Sequence, residues 1–177
     1  MRRSRSLSQT VDDPDDADAA ESAALRILGG ASQSADALQQ RLLRRGFSPA
    51  AAGAAVSRCR ELGYVDDSAL AESVISRHRR AGHGRARIVA DLRGRRLSDQ
   101  TVRDVVAGLE EDDEEAAVLA AARALFDREA RRGEMDDGAL RRVAGALQRR
   151  GFSSALIRKA IRIETAAAAS PVREDST

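Results

Sequence analysis

The chain has 177 residues, of which 42% are hydrophobic, 2% aromatic and 33% charged, with 30 basic against 28 acidic side chains; that length suits one ordinary core or several small stacked ones. Alanine, leucine, valine and arginine dominate, which favours helices and argues against a sheet protein rich in aromatic and β-branched residues. Cys59 is the only cysteine, so no intrachain disulfide forms; no apolar run reaches the roughly 20 residues of a membrane span, and acids follow the N-terminal arginines where a signal peptide would be apolar. A cytoplasmic monomer with no membrane partner is expected.

In chain order, residues 1–20 are polar, acidic after Thr10 and poor in large apolar side chains, and read as a disordered tail. A phrase then recurs: Leu42-Leu43-Arg44-Arg45-Gly46-Phe47-Ser48, Leu92-Arg93-Gly94-Arg95-Arg96-Leu97-Ser98 and Leu147-Gln148-Arg149-Arg150-Gly151-Phe152-Ser153, at spacings of 50 and 55 residues. Such periods mark stacked helical units that bury part of their apolar faces on one another. The predicted fold is all-α: three tandem three-helix repeats in an elongated, curved solenoid, with repeats at 21–63, 64–109 and 110–165 and a second disordered tail at 166–177.

Each repeat reads as a leading, a middle and a closing helix. The first leading helix, near residues 22–28, is short and ends at Gly29-Gly30. Its middle helix carries Leu38 and Leu42; Gly46 stops it in a left-handed conformation and Phe47 folds back. Ser48 caps the closing helix, Pro49 takes its first position, and Ala52, Ala55, Val56 and Cys59 make its buried stripe.

The second leading helix opens after Asp66 or Asp67, carries Leu70, Val74, Ile75 and His78, and stops at Gly82 and Gly84. Ile88 and Leu92 follow on the middle helix, then Arg96 where the other repeats have glycine, which predicts a turn more strained or differently shaped. Ser98 starts a closing helix striped by Val102, Val105, Val106 and Leu109. The third leading helix runs from the acids at 110–115 to about Arg132, with Val118, Leu119, Ala122, Leu125 and Phe126 on one face. Val143 and Leu147, the Gly151 stop, the Ser153 cap, and Ile157, Ala160 and Ile161 complete the pattern, with Glu164 ending it.

No catalytic or cofactor motif stands out, and the chain is expected to bind rather than catalyse, with no cofactor. Asp66-Asp67 and Asp136-Asp137 precede helix starts and read as caps, not as a metal pair. His78 and His83 lack the partners of a zinc site. Charge is segregated instead: residues 77–96 hold eight arginines against Asp91, and residues 141–162 hold six arginines and Lys159 with no acid. Arg45, Arg95 and Arg150 recur at the ends of the middle helices and read as structural. On a helical wheel Arg87 and Arg93 point away from Ile88 and Leu92, and Arg44 away from Leu38 and Leu42. With Arg79, Arg80 and Arg85 they form the candidate partner-binding set.

The phrase Gly63-Tyr64-Val65-Asp66-Asp67, then Leu70-Ala71, Arg77, Gly84, Ile88 and Leu92, resembles the signature of the RecX family, regulators of the RecA recombinase, and the likeness runs from about Ala23 to Ile163. Leu70 stands where an aromatic is usual, and Arg96 replaces the middle glycine. Gln33-Ser34 and Ala37-Leu38 stand for the usual Arg-Ser and Glu-Leu pairs. The resemblance implies three tandem three-helix units and a non-enzymatic modulator of DNA repair, homologous recombination and the SOS response. Such a protein lodges in the groove of the RecA filament on DNA and suppresses ATPase, strand exchange and co-protease action. Some relatives touch DNA, so single- or double-stranded DNA is a possible second partner. The alternative function is a sequence-independent DNA binder built of helix-turn-helix-like repeats.

Overall fold

The computed structural model describes residues 11–109 and 111–169. Every regular element among them is an α-helix: α1 (Ala17–Leu28), α2 (Ala35–Arg44), α3 (Pro49–Glu61), α4 (Asp67–Arg80), α5 (Arg85–Gly94), α6 (Asp99–Ala107), α7 (Glu111–Ala130), α8 (Asp137–Arg149) and α9 (Ser154–Ala169). The chain divides into two compact units, one made of residues up to Ser73 with Leu92–Arg103, the other of Val74–Asp91 with residues from Asp104 on.

In the first unit α1, α2 and α3 pack around Ala24, Ile27, Leu38, Leu42, Phe47, Ala52, Val56 and Cys59. Leu42 is wholly buried, and burying a leucine contributes about 1.5–3 kcal/mol. Burial also pushes the Cys59 thiol up from its ordinary pKa, in keeping with a core residue. In the second unit α7, α8 and α9 pack around Val118, Leu125, Phe126, Val143, Leu147, Phe152, Ile157 and Ala160. Glu129 of α7 is buried there, with Arg142 of α8 at 2.8 Å and Arg132 at 3.1 Å; the Arg142 hydrogen bond is the main reason its carboxyl sits below the usual range.

The recurring phrase folds the same way each time. Phe47, Leu97 and Phe152 donate their N–H groups to Leu42, Leu92 and Leu147 at 3.3 Å, and Gly46, Arg96 and Gly151 donate to Leu43, Arg93 and Gln148 at 2.9 Å. This pair of bonds ends a helix through a left-handed residue. Gly46 (φ 101°), Gly151 (φ 89°) and Arg96 (φ 60°) occupy it, so the strained middle turn is as expected. The hydroxyls of Ser48, Ser98 and Ser153 accept from the N–H three residues on, capping α3, α6 and α9.

Two of these turns receive the start of an earlier middle helix. In the first unit Ser34, the N-cap of α2, donates its hydroxyl to the Arg95 carbonyl at 2.6 Å, and Ala35 N–H donates to the Asp67 carboxylate at 2.9 Å. In the second unit Gly84 N–H donates to the Arg150 carbonyl at 2.8 Å, Ala86 N–H to Gly151 at 3.2 Å, and Arg85 N–H to the Glu114 carboxylate at 2.8 Å. The contact is so close that a Cβ on Gly84 would lie 2.5 Å from the Gly151 oxygen. The turn after α2 is approached by residues 11–16 instead: Ser48 N–H donates to the Pro14 carbonyl at 2.8 Å and Val11 packs on the core.

Four expectations need correction. The acidic tail assigned to 1–20 contains an ordered stretch, because Asp16 caps a helix that starts at Ala17 and Ala20, Ala23 and Ala24 are buried; small residues seat α1 by close approach where large apolar ones were sought. Residues 1–10 lie outside the described residues. In the tail assigned to 166–177, residues 166–169 are helical instead, since α9 continues through Ala169 on strongly helix-forming alanines; residues 170–177 lie outside the described residues. Glu164 does not end the buried stripe but lies buried beside Arg123, 3.6 Å away. Finally, α6 stops at Ala107, leaving Val102 buried and Val105, Val106 and Leu109 only half-buried.

Candidate partner-binding surface

Arg44 and Arg93 belong to the first unit; Arg79, Arg80, Arg85 and Arg87 belong to the second. Arg44 ends α2, is exposed, and lines a groove with Arg41, Ala37, Leu70 and the Gly94–Arg96 turn. Neither Arg41 nor Arg44 has an ion pair or side-chain hydrogen bond among the described residues. Arg41 was missed in the sequence, although it lies one turn from Arg44 on the same helix. Arg93 is exposed and stands 3.6 Å from Asp99 beside a cleft that also holds Asp36, Arg60 and Asp67, so its surroundings are of mixed sign.

In the second unit the set separates by what each guanidinium already holds. Arg85 is committed inward: its Nη2 donates to the Leu109 carbonyl at 2.7 Å and its Nε lies 3.6 Å from Glu114. Arg79 pairs with Asp113 of α7. Arg87 reaches the Arg149 carbonyl at 3.2 Å while staying exposed. The Arg80 guanidinium is exposed with no ion-pair or hydrogen-bonding partner among the described residues, as are those of Arg141, Arg149, Arg158 and Arg162. Asp113, Glu114 and Glu115 of the acidic run each face a cation, Glu115 pairing with Lys159, so they neutralise part of the basic charge inside the unit. The carboxylates at helix starts act as caps: Asp66 accepts from Ala69 N–H at 2.9 Å and Asp136 from Ala139 N–H at 2.7 Å.

The two histidines form a chain with Asp91. His78 Nε2 lies 2.9 Å from the Asp91 carboxylate, His78 Nδ1 lies 2.8 Å from His83 Nδ1, and Arg77 donates to the same Asp91 oxygen at 2.7 Å. Burial, then the positive charge of Arg87, His78 and Arg150, holds His83 below its ordinary pKa. No cluster of three metal-ligating side chains occurs among the described residues, and no helix there is long and apolar enough to cross a membrane.

Residues 111–161, from the first residue of α7 into α9, match the family description "RecX, third three-helix domain". A regulatory protein RecX of Thermobifida fusca is 38% identical over 79% of this chain and 75% of its own length, and one of Syntrophotalea carbinolica is 36% identical over 77% and 90%. The chain belongs to the RecX family. The fold agrees: the crystal structure of RecX from Lactobacillus salivarius superposes with a TM-score of 0.73 at 16% identity, covering 85% of this chain and 97% of that one. The three-helix domain named for RecX thus coincides with the unit core in which Glu129, Arg142 and Leu147 are buried or paired.

Proposed function

We propose that this RecX-family protein is a non-enzymatic modulator, mainly an inhibitor, of the RecA recombinase. It binds along the groove of the RecA filament on DNA and suppresses ATPase, strand exchange and co-protease activity. The observation that carries this reading is an all-helical scaffold whose exposed arginines, Arg44, Arg80 and Arg87 foremost, are not consumed by carboxylates of their own units. Guanidinium groups left this way suit bidentate contact with the carboxylates and phosphates of a nucleoprotein surface. Arg41 joins the proposed set in the first unit and Arg149 in the second. Arg79 and Arg93 contribute less through their ion pairs, and Arg85 supports the fold rather than the partner.

The test is RecA ATPase on single-stranded DNA with this protein well below one molecule per recombinase. Inhibition is expected, and charge reversal of Arg44, Arg80 and Arg87 together weakens it while helicity is kept. No inhibition, combined with tight and steeply salt-dependent binding to bare DNA, would replace this reading by that of a DNA-binding protein.

A further inference from the structure

The histidine chain has a proton count that decides when it holds. A carboxylate only accepts, so His78 Nε2 carries the proton that faces Asp91 at 2.9 Å. Between the rings, 2.8 Å separates His78 Nδ1 from His83 Nδ1, room for one proton between two nitrogens. With both imidazoles neutral, His83 donates through Nδ1–H and His78 accepts. One added proton is tolerated: it goes either to His83 Nε2, or to His78 Nδ1 with His83 re-tautomerised to offer a lone pair. A second added proton puts N–H groups on both facing nitrogens, and the contact must open.

His83 precedes Gly84 directly, and Gly84 has no spare room against the turn after α8. Its N–H bonds Arg150, and the Gly151 oxygen occupies the space that a Cβ would need. The backbone continues the tie, because His83 N–H donates to the His78 carbonyl at 3.0 Å. Displacing the His83 ring therefore pulls on the residue that seats α5 on that turn. We propose that His78 and His83 act as a proton-counting latch on this joint, closed while the pair bears at most one positive charge and opened when it takes up a second.

The charged surroundings set the direction. Arg77 and Asp91 face His78. His83 shares a cavity with Arg79, Arg85, Asp113 and Glu114, and Arg87 and Arg150 add positive charge. The fold holds His83 below the free imidazole value, so the joint's full stability is present above about pH 6.5 and is lost as pH falls beneath it.

Amide hydrogen exchange on the full chain tests the latch at Gly84 and Ala86. Protection, corrected for the intrinsic exchange rate, should fall at least about tenfold between about pH 7.5 and pH 5, and should stay level in His83→Gln, whose amide can donate or accept but does not titrate. Equal protection at both pH values, or the same fall in H83Q, overturns the proposal. Nitrogen-15 spectra of the wild-type rings at neutral pH give a second test that needs no variant. His78 protonated at Nε2 with His83 protonated at Nδ1 is expected, and any arrangement with His78 Nε2 bare overturns it.

Discussion

The start of α2 and the start of α5 are seated in the same way by different chemistry. Each meets the turn that follows a later middle helix, and each gives its first helical N–H to a carboxylate of a leading helix, Asp67 in one unit and Glu114 in the other. At α2 the gap is spanned by the Ser34 hydroxyl; at α5 the two backbones touch through Gly84 and Gly151 with nothing between. A side chain that spans the gap tolerates a larger residue opposite, and Arg96 stands there despite its φ of 60°. Direct contact tolerates none: a Cβ on Gly151 would lie 2.5 Å from Arg87 N. A single joint can thus be spanned by a side chain or closed by backbone alone, and its permitted sequences follow from which.

The sharpest way to break the comparison is Gly84→Ala. The added methyl meets the backbone of Gly151 and Phe152, so α5 must shift and both N–H bonds to the turn are lost; about 2–4 kcal/mol of stability should go, measured by urea unfolding. Ser34→Ala removes a helix cap and leaves the Arg95 carbonyl without this donor, which should cost about 1–3 kcal/mol on the same scale. The smallest change has the opposite sign. Arg96→Gly relieves the left-handed strain and gives up only an exposed 3.5 Å pair with Asp36, so a gain of about 0.5–1 kcal/mol is expected. Were G84A as mild as S34A, the distinction between the two joints would collapse.

Much of this was legible in the residues. Leucine, isoleucine or valine four residues before a leucine, glycine or a strained stand-in, then serine, describe a helix, its stop and the next cap, and local chemistry alone sets them. Alanine was the blind spot. Ala17–Leu28 is seated by small side chains whose burial depends on how near a neighbour comes, and periodicity of large apolar residues does not report that distance; the end of α9 runs on through exposed alanines, which helix propensity alone carries. The candidate surface was legible only in part. Helical spacing finds which way an arginine points, as it did for Arg44 and Arg87, but not what waits for it: Asp113 for Arg79, or Glu114 and the Leu109 carbonyl for Arg85, come from distant parts of the chain. Gly84 looked like a helix stop, and its role in the joint needs Gly151, which lies 67 residues on.

Residues 11–16 complete the first core from outside, with Val11 on the core, Pro14 tied to Ser48, and Asp16 capping α1. Proteolytic removal of the chain through Asp16 would strip all three supports from the first unit, whose α1 has a buried face that is mostly alanine. The unit that presents Arg44 is therefore only as durable as a six-residue acidic leash, and clipping that leash would retire the unit without touching any arginine.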